Sequence, residues 1–94
     1  MIVYKAMYRF VEDGVHAEVL DFPGVMTCGA NLNAARALLG GALVDMAETN
    51  IGDGEPLPLP DPEATNSDAD IEEPIYLLLS AASRVAIVPQ PVET

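Results

Sequence analysis

The sequence is poor in the residues that usually announce chemistry. Its single cysteine, Cys28, permits no internal disulfide and fits a reducing cytoplasm. There is one histidine, His16, no tryptophan, and only three tyrosines and two phenylalanines. Four basic residues, Lys5, Arg9, Arg36 and Arg84, stand against fifteen acidic ones, for a net charge of −11. A surface of that sign repels phosphate backbones and suits a basic protein partner, so direct nucleic-acid binding is not expected. No apolar run approaches the length that spans a bilayer, and no membrane association is expected. The opening "MIVYKAMYRF" sets basic residues in a strand-like pattern, without the layout of a signal peptide. At 94 residues the chain forms one domain, 1–94, at the small end of what supports its own core.

What is present is patterned. Residues 1–10 alternate, with Ile2, Tyr4, Ala6, Tyr8 and Phe10 on one face and Val3, Lys5, Met7 and Arg9 on the other. "EDG" is a turn signal, and alternation resumes with Val15, Ala17 and Val19. A two-residue turn at Asp13-Gly14 predicts pairs Phe10–Ala17, Arg9–Glu18, Tyr8–Val19 and Met7–Leu20. "DFPGV" has the Pro-Gly order of a type II turn, and "VMTCG" reads as a short third strand. Asn31 is placed to cap a helix over 32–50, with Leu32, Ala35, Leu39, Ala42, Leu43 and Met46 as its apolar stripe. Gly40 and Gly41 inside that helix imply a close approach to the sheet.

Residues 53–74 form an acidic, proline-rich loop, and the ordered core covers 1–52 and 75–89. The segments 75–79 and 85–88 read as strands joined by a bend at 80–83, while a helix over 75–82 is the alternative. The expected fold is therefore α+β, in the order β-β-β-α-β, with one main helix on one face of a small antiparallel sheet.

Few constellations suggest catalysis. A Cys–His nucleophile needs both groups within hydrogen-bond reach, and the plainer reading is an outward-facing His16 and a small half-buried Cys28. There is no phosphate-cradling glycine loop and no zinc-ligand set, so no cofactor is expected. Glu18, Asp21 and Glu48 could converge as the carboxylates of a magnesium-dependent nuclease. The structural alternatives carry more weight: Glu18 pairs with Arg9, and Asp21 hydrogen-bonds the backbone of its own turn.

Taken together, "YKAMYRF", "EDG", "GVHAEVLDFPG", "VMTCG" and "DGEPLPLP" resemble the HicB-like antitoxin family over about residues 3–60. The helix departs from the family pattern by opening "NLNAA", without the usual acidic residues. The resemblance implies a truncated RNase H-like fold without a working metal site. It also implies neutralisation of a small basic mRNA-cleaving toxin of the HicA type by covering its active site. Asp21, Phe22 and Glu18 are then candidates for the partner-facing surface. After the acidic loop, Arg84 is the sole basic residue and a ribbon-helix-helix does not fit, so operator binding is not expected. The competing functions are an orphan homo-oligomeric module and the metal-dependent nuclease. Met7, Leu20, Val3 and Val11 would form an apolar patch on the outer sheet face, predicting a symmetric dimer unless 75–88 folds back over it.

Overall fold

In a computed structural model of the chain, residues 1–79 and the strand at 85–88 are described. The bend expected at 80–83 lies outside them. The elements are β1 (Ile2–Val11), β2 (Gly14–Val19), β3 (Met26–Gly29), α1 (Leu32–Gly52), β4 (Ile71–Leu79) and β5 (Val85–Val88). All strand neighbours are antiparallel in the order β3-β2-β1-β4, with β5 added beyond β4. This is the small α+β sheet with one packed helix that the hydrophobic patterning predicts. The last apolar segment forms two strands, and Ile75–Leu79 is strand rather than helix.

The two faces of β1 and β2 are as the alternation predicts. Tyr4, Ala6, Tyr8, Val15, Ala17 and Val19 are buried together. The pairing is shifted by two residues: Phe10 meets Val15, Arg9 meets His16, Tyr8 meets Ala17 and Met7 meets Glu18. The turn falls on Glu12-Asp13, not Asp13-Gly14. Gly14 opens β2, and a Cβ there would run into the carbonyl oxygen of Gly29. A two-residue slip keeps every side chain on its own face, so the alternation could not reveal it. Phe10 shares the inner face but is 55% exposed, while Met7, on the outer face, is only 1% exposed.

The turn after β2 is the type II turn its sequence implies. Val25 N–H donates to Phe22 C=O at 3.3 Å, and Gly24 takes φ +89° at the position where a side chain is strained. Phe22 swings inward, 2% exposed, and meets the Tyr4 ring edge-on at 5.3 Å. Asn31 caps α1 by accepting from Ala34 N–H at 2.8 Å. At the other end Gly54 N–H donates to Ile51 C=O and Glu55 N–H to Asn50 C=O, a Schellman closure. The helix buries Ala35, Leu39, Gly40, Leu43 and Ala47 against the sheet, and Leu32, Ala42 and Met46 pack at the margin of that stripe. Of the two mid-helix glycines only Gly40 is buried. Gly41 is exposed, and a Cβ added there would meet nothing within 4 Å.

The acidic loop ends at residue 70, earlier than its composition suggests, because "IEEP" already belongs to β4. Pro74 sits opposite Lys5. Lys5 turns its N–H and C=O toward Asp21 and Leu20, so this pair exchanges no backbone bonds. The missing N–H of Pro74 thus faces away from β1 and costs that pairing no bond.

Candidate functional site

Residues 53–70 do not hang free. They form a strap that begins at the end of α1 and reaches the outer face of the sheet. Tyr4 Oη donates to Pro58 C=O at 2.8 Å, and Asp61 N–H donates to Asp21 Oδ2 at 2.9 Å. Lys5 Nζ then donates to Pro62 C=O at 2.9 Å. Beyond it, Glu72 accepts from the Thr65 hydroxyl at 2.6 Å and from Asn66 N–H at 3.2 Å. Asp70 N–H donates to Tyr8 C=O, and the Asp70 carboxylate accepts from Phe10 N–H, which delivers the chain into β4. The Thr65 and Asn66 bonds hold the Glu72 carboxyl below its usual range, with weaker help from Lys5 Nζ at 3.9 Å.

Between strap and sheet lies an open cavity of about 400 Å³, whose walls include Val3, Lys5, Asp21, Pro60, Pro62 and Pro74. Asp21 sits at its edge as a tie. Its Oδ1 accepts from Lys5 N–H at 2.8 Å and its Oδ2 from Asp61 N–H. The expected bond within its own turn is replaced by two bonds to distant backbone. A carboxylate here is needed because two separate amides converge on one side chain.

The other candidate residues scatter. Glu18 does not reach Arg9; its Oε1 lies 2.8 Å from His16 Nε2. Glu48 stands exposed on α1, one residue beyond the buried Ala47. The three carboxylates proposed for a nuclease are therefore held apart in separate roles. Among the described residues no three His, Cys, Asp or Glu side chains are grouped so as to hold a metal ion. Phe22 is core and offers no surface to a partner.

The apolar patch also dissolves. Met7 is buried, and its neighbours on that face, Lys5 and Glu72, hold the strap, while 75–79 and 85–88 are strands of the sheet. Leu20 is half-buried, and the exposed Val3 and Val11 lie at opposite ends of β1. On the inner face, Arg36 makes two bonds to Glu73, at 2.7 and 3.1 Å, and lies 5.7 Å over the Tyr8 ring. Burial and the Glu73 charge push the Tyr8 hydroxyl up to about 12, against the opposing pull of Arg36.

One contact contradicts the expectation that Cys28 and His16 stand apart. The β2–β3 register sets them directly opposite, with Sγ 3.8 Å from Nδ1, and Cys28 is exposed rather than half-buried. The signal was available in the sequence: a four-residue strand returning from the Pro-Gly turn must place some residue of "MTCG" beside His16.

The exposed carboxylates collect on the strap and its ends, at Asp53, Glu55, Asp61, Glu63, Asp68, Asp70 and Glu72. No basic residue lies between 53 and 72. Among the described residues no helix is long and apolar enough to cross a membrane. Compared with protein-family models and with curated proteins, the chain matches none.

Proposed function

We propose that this chain acts by binding a protein partner, as a HicB-like antitoxin-type domain that neutralises a small basic mRNA-cleaving toxin of the HicA type. The sequence resemblance supplies the partner class. The observation that carries the reading is the strap: a run of exposed carboxylates, fastened to the sheet and containing no cation of its own. Lys5 pairs with Glu72 at the strap's end and Arg36 with Glu73 in β4, and among the described residues the other strap carboxylates form no ion pair. Such a surface draws a basic partner into encounter and makes association fall with ionic strength. Asp21 and Glu18 serve this reading indirectly. Asp21 holds the strap, and Glu18 is occupied by His16.

The test is co-expression with a HicA-like toxin encoded beside this chain. Wild type should restore growth and co-purify with the toxin. A variant carrying Glu55→Gln, Glu63→Gln and Asp68→Asn removes charge from side chains that make no hydrogen bond among the described residues. It should fold normally and bind the toxin at least about tenfold more weakly at low salt. Failure of wild type to bind or rescue would refute the proposal.

A further inference from the structure

We propose that Cys28, His16 and Glu18 form a thiol-exchange site that accepts small disulfides, independent of any protein partner. The three side chains lie on the outer face of the sheet, on two neighbouring strands whose register sets Cys28 against His16 and Met26 against Glu18. Glu18 Oε1 is 2.8 Å from His16 Nε2, and Cys28 Sγ is 3.8 Å from Nδ1. The neutral imidazole tautomer that donates from Nε2 to Glu18 turns the lone pair of Nδ1 toward the thiol. This is the order nucleophile, base, orienting carboxylate that activates a weak nucleophile. The 3.8 Å contact is long, as such contacts are before a substrate draws them together. Cys28 is exposed while the two groups behind it are partly shielded, at 19% for the His16 side chain and 29% for that of Glu18. A reactant thus meets the sulfur first. The other charged residue of the row is Arg9, the partner of His16 on β1.

The sulfur is exposed, and a small disulfide can reach it directly. Disulfides need no oxyanion hole, only an in-line approach to one sulfur. In the step, the Cys28 S–H proton passes to His16 Nδ1 and the sulfur attacks one sulfur of the disulfide. The S–S bond breaks, and the leaving thiolate takes the proton back from the imidazolium. One disulfide is consumed, one thiol is released, and Cys28 ends as a mixed disulfide.

The experiment is the rate of mixed-disulfide formation with oxidised glutathione at pH 7, followed by mass spectrometry on wild type, His16→Ala, Glu18→Gln and Cys28→Ser. Urea midpoints of the variants check that each is folded. Wild type should react at least about tenfold faster than His16→Ala, with Glu18→Gln between them, and Cys28→Ser should not react. Added imidazole should raise the His16→Ala rate proportionally more than the wild-type rate, a rescue that a merely structural histidine would not show. Equal rates for folded wild type and His16→Ala, or no differential rescue, would overturn the assignment.

Discussion

Replacing Asp21 by alanine tests whether the strap is built into the fold or merely rests on it. The side chain accepts from two amides, Lys5 N–H at 2.8 Å and Asp61 N–H at 2.9 Å. The Lys5 amide is partly buried and donates to this carboxylate, while the Lys5 carbonyl takes Leu20 N–H. Losing a charged acceptor there costs about 1.5–3 kcal/mol. The Asp61 amide is exposed and water can take over, so its share is about 0.5–1.5 kcal/mol. Together these come to about 3 kcal/mol. Against the roughly 5–14 kcal/mol typical of a domain this size, that is a large fraction. Asp21→Asn keeps one oxygen and turns an N–H₂ toward the other amide, so it should lose about half as much. Equilibrium urea unfolding at pH 7, read by circular dichroism because the chain has no tryptophan, gives the comparison. With a slope of about 1–1.5 kcal/mol per molar urea, Asp21→Ala should move the midpoint down by about 2–3 M. A midpoint within about 0.3 M of wild type would refute the tie, and with it the reading of residues 53–70 as an integral strap.

Met7→Lys should destabilise by about 3 kcal/mol, since it forces an ammonium into a site that is 1% exposed, and light scattering should show no change of assembly in the fraction that stays folded. Gly41→Ala should stabilise by about 0.5–1 kcal/mol in the same urea assay, because the position is helical, exposed and open around the Cβ. Glu72 gives a pH dependence. Its folded-state pKa lies below the ordinary 4.5, so its contribution is present above that value and is lost as pH falls through the depressed one. Amide exchange in residues 62–70 should therefore accelerate relative to β1 below pH 4.5, and Glu72→Gln should show the fast exchange already at neutral pH.

Local chemistry made much of the architecture legible. The period-two alternation assigns the faces of β1 and β2, Pro23-Gly24 specifies a type II turn, and Asn31 marks a helix start, all from contacts within a few residues. Pairings across longer distances were not legible. The shift of register by two leaves both faces intact, and the close approach of Gly14 to Gly29 that goes with the observed pairing joins different strands. That shift takes Glu18 from Arg9 and gives it to His16. The roles of Asp21 and of the strap depend on amides at positions 5 and 61, and no spacing in the sequence links those to residue 21. Met7 is covered for the same reason: composition marks 53–74 as a loop but says nothing about where the loop lies. The candidate site followed suit. Its acidic character could be read directly, while the burial of Phe22 and the engagement of Asp21 and Glu18 needed three-dimensional placement.

The proposed inhibition of an mRNA-cleaving toxin by an acidic strap is tested most directly by titrating purified chain into an RNA-cleavage reaction run by a HicA-like toxin. Cleavage should fall in proportion to added chain and stop at a fixed stoichiometric ratio. Raising the salt should weaken the inhibition, and the Glu55→Gln, Glu63→Gln, Asp68→Asn variant should inhibit only at excess. Undiminished cleavage at several-fold molar excess of folded wild-type chain would contradict the account.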